Sequence, residues 1–77
     1  MDMRKIGEMC KSARVEHGYT LVEAGTQMGY DFSTVWGFEN GRNDNYIILL
    51  WYVTKCGVDP VDVVREGGIS YDGSTGI

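Results

Sequence analysis

Residue types that build metal sites and cross-links are scarce in this sequence. Its 77 residues include one histidine, two cysteines and one proline. Cys10 and Cys56 lack metal-ligand spacing, and His17 alone adds too few ligands for a zinc site. We therefore predict no metal or other cofactor, and we expect both cysteines to be reduced residues of a hydrophobic core.

Long hydrophobic runs are also missing. The longest covers residues 46–53, only eight positions, whereas a membrane-spanning helix needs about 18 or more. The first residues include Arg4 and Lys5 and hold no apolar segment of the kind that a secretion signal requires. We expect a cytoplasmic protein with no membrane partner.

Positive charge is in short supply. Seven Lys and Arg residues stand against eleven Asp and Glu residues, which gives a net charge of −4. Residues 1–18 carry a net +1, residues 19–42 carry −2 and residues 43–77 carry −3. No segment forms a basic patch, which disfavours strong nonspecific binding of nucleic acid because that binding depends on cations at phosphates.

Hydrophobic residues, 43% of the chain, are abundant enough for one small core. Ile6, Met9, Cys10 and Ala13 recur at steps of three and four residues, the spacing of one helix face. Gly18 then provides a helix stop. The sequence therefore predicts a first helix through residues 6–13.

Two short helices with a tight turn between them are predicted next. Thr20 and Glu23 have the spacing of a capping box, and Gly29 ends the helix that they begin. Asp31 is the predicted cap of a third helix, which stops before Gly41. Two short helices joined by a glycine-containing turn form the core of a helix-turn-helix motif.

The remaining signals predict two more helices. A cap among residues 43–45 starts an apolar helix that Gly57 ends, and Asp59 with Pro60 starts a last helix reaching about residue 66. A β-strand over residues 46–53 is the alternative, because Ile, Tyr, Trp and Val favour strands. We predict one domain over residues 1–66 and a flexible glycine-rich tail over residues 67–77.

Short motifs along residues 6–64 give the chain a family resemblance. The matching segments are Ile6-Gly7-Glu8, Arg14 before Gly18, Thr20-Leu21-Val22-Glu23, Met28-Gly29, Ser33-Thr34-Val35, Glu39-Asn40-Gly41-Arg42, Leu49-Leu50 and Gly57-Val58-Asp59. The chain resembles the Cro/XRE family of phage repressors. The resemblance implies an all-α, five-helix, lambda-repressor-like fold in which residues 31–38 take the place of the DNA recognition helix. It also implies an ion pair between Arg14 and Glu39.

The chain departs from the family where DNA would be contacted. Leu21 replaces a glutamine that grips phosphate, and Phe32, Trp36 and Gly37 replace polar or basic residues, while Ser33 stays polar. Bases are read mainly by Arg, Lys, Asn and Gln. Arg4 and Lys11 are more distant candidates for phosphate contacts. The candidate DNA-binding residues are Phe32, Ser33, Thr34, Trp36, Gly37, Asn40 and Arg42.

The fourth helix is apolar nearly all round. The resemblance implies inward positions at Tyr46, Leu49, Leu50, Val53 and Cys56. Ile47, Ile48 and Trp51 occupy positions that are normally polar. These three side chains either turn inward to fill space beside small core residues or form an interface. The candidate protein-interface residues are Phe32, Trp36, Ile47, Ile48 and Trp51.

Two functional hypotheses follow. The first is a small phage-type transcription regulator that binds operator DNA, with a homodimer on half-sites about one helical turn apart. The second is a degenerate helix-turn-helix protein that leaves DNA unbound and regulates by binding another protein, as an antirepressor or corepressor does. No set of residues for catalysis is visible, so we expect neither an enzyme nor a small-molecule substrate.

Overall fold

The computed structural model describes residues 2–67, which fold into five α-helices. They are α1 (Met3–Glu16), α2 (Leu21–Met28), α3 (Phe32–Glu39), α4 (Tyr46–Lys55) and α5 (Pro60–Glu66). No strand occurs among these residues, so the all-α prediction is confirmed and the strand alternative for residues 46–53 is wrong. In this part of the chain no helix is both long and apolar enough to span a membrane. The predicted tail, apart from Gly67, lies outside the described residues.

Helix α1 begins three residues before the start that its apolar pattern predicts. The Asp2 carboxylate accepts hydrogen bonds from the backbone N–H groups of Arg4 and Lys5, at 3.1 and 3.2 Å. This side chain caps the helix and stabilises the first turn. At the other end the chain leaves the helix through Gly18, whose φ of 79° confirms the predicted stop.

The caps predicted for the other helices are mostly present. The Thr20 hydroxyl accepts from the Glu23 N–H at 3.0 Å, and the Glu23 carboxylate accepts from the Thr20 N–H at 2.9 Å. Asp59 caps α5 by accepting from the Val61 N–H at 2.8 Å. Asp31 occupies the N-cap position of α3 but caps no backbone N–H, because its carboxylate accepts from the neighbouring Ser33 hydroxyl instead.

The core lies where α1, α3 and α4 meet, with α2 and α5 on its flanks. Phe38 of α3 stacks on Tyr52 of α4, with ring centroids 5.8 Å apart. Cys10 and Cys56 are buried free thiols, which confirms their predicted place in the core. The fully or largely buried apolar side chains are Ile6, Cys10, Ala24, Val35, Phe38, Ile48, Trp51, Tyr52, Cys56, Val58 and Val63.

Helix α4 buries only part of the face that the resemblance implies, because Leu49, Val53 and Cys56 pack in or against the core and the other two expected positions do not. Tyr46 and Leu50, expected inside, are 69% and 52% exposed. Ile48 and Trp51, for which the sequence leaves an inward position and an interface open, are 0% and 7% exposed, so they turn inward and their assignment to an interface is wrong. Both lie in the same buried cluster as the small residue Ala24.

Trp51 shows how this face of α4 is held. Its indole ring meets Tyr19 and Tyr52 edge to face, with ring centroids 5.2 and 5.1 Å apart. Its N–H donates to the Gln27 side-chain carbonyl at 3.2 Å, so the buried donor is satisfied. The contacts of Trp51 with the two rings and with the Gln27 amide of α2 therefore fix the rotation of α4 about its own axis.

Candidate nucleic-acid interface

Helices α2 and α3 are joined by a three-residue turn and pack directly against each other. Gly29 adopts the left-handed conformation, with φ 78° and ψ 24°. The Tyr30 N–H donates to the Gly25 carbonyl at 2.8 Å, and a Cβ at Gly25 would lie 2.5 Å from the Tyr30 carbonyl oxygen. A glycine at each of these positions therefore permits the turn to fold tightly onto α2.

The inner side of α3 is fixed against the rest of the domain. Val35 and Phe38 are fully buried, and Gly7 of α1 lies against the backbone of the last turn of α3. A Cβ at Gly7 would come within 2.7 Å of the Phe38 carbonyl oxygen. The helix is therefore held by close backbone contact with α1 as well as by its own side chains.

A buried ion pair completes this attachment. Arg14 donates to the Glu39 carboxylate from Nε at 2.6 Å and from Nη2 at 3.0 Å, and its Nη1 donates to the Tyr19 carbonyl at 2.8 Å. The pair that the resemblance implies is therefore present, with side chains 8% and 2% exposed. Its hydrogen bond to Glu39 raises the pKa of Arg14.

Tyr52 is a third member of this network that the sequence did not reveal. Its hydroxyl donates to the Glu39 carboxylate, and burial, followed by this bond, raises its pKa above the ordinary value. Thirteen residues separate the two positions, so no local spacing signals the contact. The Glu39 carboxylate thus receives three hydrogen bonds from two helices, which satisfies it fully.

The outer side of α3 presents two aromatic rings. Phe32 and Trp36 lie four positions apart and are 54% and 43% exposed. Ser33 is exposed beside them, and Thr34 is half-buried. Gly37, a predicted DNA-binding residue, is buried instead, and Asn43 and Arg42 of the following loop lie against it. Leu21, at the family's glutamine position, packs against the core.

Polar side chains around α3 are largely occupied by hydrogen bonds within the protein. The Ser33 hydroxyl donates to the Asp31 carboxylate at 2.8 Å, and the Asn40 amide donates to the Trp36 carbonyl at 2.8 Å. Asn43 donates to the Thr34 carbonyl at 3.2 Å, which ties the loop after α3 to the helix. These bonds shape the loop and leave the rings as the main exposed feature of this surface.

Two arginines lie at the carboxyl end of α3. The Arg42 guanidinium stands over the Trp36 ring, 5.1 Å from the ring centroid. Arg4 lies next to Gly41, with which it lines an open cleft that also includes Asn40, Arg42 and the carboxylates Glu8 and Glu39. Sequence spacing places Arg4 and Arg42 far apart, and only the approach of Gly41 to the start of α1 brings them together.

A second exposed apolar cluster lies on α4. Tyr46, Ile47 and Leu50 are neighbours at helical spacing, and each is at least half exposed. Of the candidate interface residues predicted on this helix, Ile47 alone remains accessible.

Residues 2–67 hold no group of three or more His, Cys, Asp and Glu side chains arranged to bind a metal ion. Burial raises the pKa of both cysteine thiols, that of Cys10 to about 12.

Comparisons with protein-family models, with curated proteins and with solved structures find no match to this chain.

Proposed function

We propose that this protein is a small transcription regulator of the Cro/XRE type that binds operator DNA with the outer side of α3. The observation that carries the proposal is that α3 is packed against the domain on one side and exposed on the other. Its inner side is fixed by α1, α2 and the Arg14–Glu39 pair, while its outer side is free. An α-helix with its side chains is about 10–12 Å across, which suits the major groove of about 12 Å width.

The exposed residues divide into two groups under this proposal. Phe32, Ser33 and Trp36 face base edges, with Thr34 at the margin. Asn40, Arg42 and Arg4 lie at the end of α3, where they meet the phosphate backbone. The phosphate contacts of the second group would fix the position of the protein on DNA. The base contacts of the first group would select the DNA sequence.

The small number of cations predicts a weak salt dependence. Each phosphate neutralised contributes about −0.9 to the slope of log K against log salt. Arg42 and Arg4 together therefore give a slope of roughly −2 for one protomer, or about −4 for two protomers on two half-sites. This slope is well below that of strongly basic DNA-binding proteins.

The test is a fluorescence anisotropy titration against duplexes selected from a random library, at salt concentrations from about 50 to 200 mM. Arg42→Met is expected to reduce the salt slope by about one unit per protomer. Arg65→Met is the matched control, because Arg65 is also exposed but lies on α5. No duplex binding at the lowest salt concentration would refute the proposal.

A second candidate function has its own observation. Phe32, Trp36 and the cluster of Tyr46, Ile47 and Leu50 are exposed on a chain of net charge −4. Exposed apolar clusters of this kind are typical of protein interfaces, in which aromatic residues are frequent anchors. A partner regulatory protein would bind with little salt dependence, and Trp36→Ala would abolish its capture. Light scattering after size exclusion would separate such a partner from a homodimer.

A further inference from the structure

We infer that α3 recognises thymine, through apolar contacts of Phe32 and Trp36 with the C5 methyl groups that thymine presents in the major groove. This inference rests on the proposed DNA binding and concerns the sequence that is chosen. In this arrangement the two rings select the DNA sequence, and Arg4 and Arg42 only position the protein on the phosphate backbone.

The composition of α3 excludes the usual hydrogen-bonding route to specificity. Residues 32–39 contain no Arg, Lys, Asn or Gln, the side chains that pair with guanine or adenine edges. The Ser33 hydroxyl already donates to Asp31, and the Asn40 amide is bonded back to its own helix. The face that would enter the groove is left with few free donors.

The two rings match the spacing of bases. Side chains four apart on a helix have Cβ atoms about 5–6 Å apart, and base pairs are stacked about 3.4 Å apart. Phe32 and Trp36 therefore span about two base steps. Of the four bases, thymine alone offers a methyl group in the major groove, and apolar side chains contact it.

Arg42 strengthens this arrangement. Its guanidinium stands over the Trp36 ring, which restricts the indole while leaving it 43% exposed. The same guanidinium brings a positive charge next to the ring, where a phosphate would pass. A ring with a fixed orientation loses less entropy on binding.

The experiment changes the DNA. Duplexes are first enriched from a random library with the wild-type protein, and deoxyuridine then replaces thymidine at each enriched position, which removes only the methyl group. We expect about fourfold weaker binding for each contacted methyl, and more than tenfold for two, from the free energy of burying one methyl group. Anisotropy at fixed salt concentration measures both affinities.

A protein variant assigns the contact. With Trp36→Ala, the ratio of thymidine to deoxyuridine affinity is expected to fall to about one at the position facing the indole. Val15→Ala, which removes an exposed apolar side chain from α1, is expected to keep the full ratio. A purely structural role of Trp36 would weaken binding to both DNAs equally and leave the ratio unchanged.

The outcomes separate the two proposals. Equal affinity for thymidine and deoxyuridine duplexes, with binding otherwise intact, would overturn the thymine inference and leave DNA binding in place. Absence of any enrichment would overturn both. The substitution in DNA needs no protein variant, so the test holds even if Trp36→Ala fails to fold, which circular dichroism would reveal.

Discussion

Replacing Arg14 by methionine removes one side of the buried ion pair and keeps most of its aliphatic volume. The Glu39 carboxylate, whose side chain is 2% exposed, would then be left with the Tyr52 hydroxyl as its donor. Leaving one charge of a buried pair uncompensated costs about 3–5 kcal/mol. The Tyr19 carbonyl also loses the Arg14 Nη1 donor, which adds about 1 kcal/mol.

This cost is large for a protein of this size. A chain of 77 residues is expected to have a free energy of unfolding of about 4–12 kcal/mol. Arg14→Met, at roughly 4–6 kcal/mol, is therefore expected to remove a large fraction of this free energy of unfolding. Replacing Glu39 by methionine as well removes the uncompensated charge, so the double variant is expected to be more stable than Arg14→Met alone. Its remaining loss is about 2 kcal/mol, because the Tyr19 carbonyl and the Tyr52 hydroxyl lose their partners.

The assay is urea denaturation followed by circular dichroism, applied to the single and double variants as a double-mutant cycle. Arg65→Met is the control, because Arg65 contacts Asp62 at 3.5 Å with both side chains largely exposed. Its expected cost is below about 1 kcal/mol. The reasoning would be refuted by a double variant less stable than Arg14→Met, or by equal costs for Arg14→Met and Arg65→Met.

Alanine is expected to act in opposite directions at two glycines. A Cβ at Gly7 would clash with the backbone carbonyl of Glu39, so Gly7→Ala should lower the free energy of unfolding by about 2 kcal/mol. A Cβ at Gly37 would meet the Asn43 side chain at an ordinary 3.4 Å, so Gly37→Ala should raise it by up to about 1 kcal/mol. Burial raises the pKa of Cys10 from 9.0 to about 12, so the unfolded chain loses this proton first and stability should fall as pH rises above about 9. Urea denaturation from neutral to alkaline pH measures all three effects, and Cys10→Ala should show a shallower decline with pH.

Specific results would contradict each of these predictions. A stabilised Gly7→Ala variant would mean that α1 and α3 are further apart than described. A destabilised Gly37→Ala variant would mean that Asn43 cannot move away from the helix. Equal alkaline slopes for the wild type and Cys10→Ala would show that this thiol does not contribute to the pH dependence.

Local signals in the sequence were enough to locate the helices. The capping box of Thr20 and Glu23, the stop at Gly29 and the start at Asp59 lie where the structure has them. The start of α1 lies before the predicted apolar positions, which begin at Ile6, and it is marked instead by the cap Asp2. Such signals are reliable because each depends on hydrogen bonds within a few residues.

The sequence does not predict which face of α4 is buried. Residues 46–53 are all apolar, so no polar side marks which way the helix is turned. The resemblance placed Tyr46 inside and Trp51 outside, and the structure reverses both. The rotation is decided by contacts of Trp51 with Tyr19 and with the Gln27 amide, which are more than twenty residues away in sequence.

The sequence by itself determined five helices, the caps of α2 and α5 and the buried cysteines, because hydrogen bonding and hydrophobic periodicity act over short separations along the chain. The tertiary structure alone decided that Tyr52 joins the Arg14–Glu39 pair, that Arg4 and Arg42 line one cleft, and that Ile48 and Trp51 are core residues. These contacts join residues of different helices, and their energies depend on how whole faces pack together. That packing leaves Phe32 and Trp36 exposed on α3, and it is this surface on which the proposed function depends.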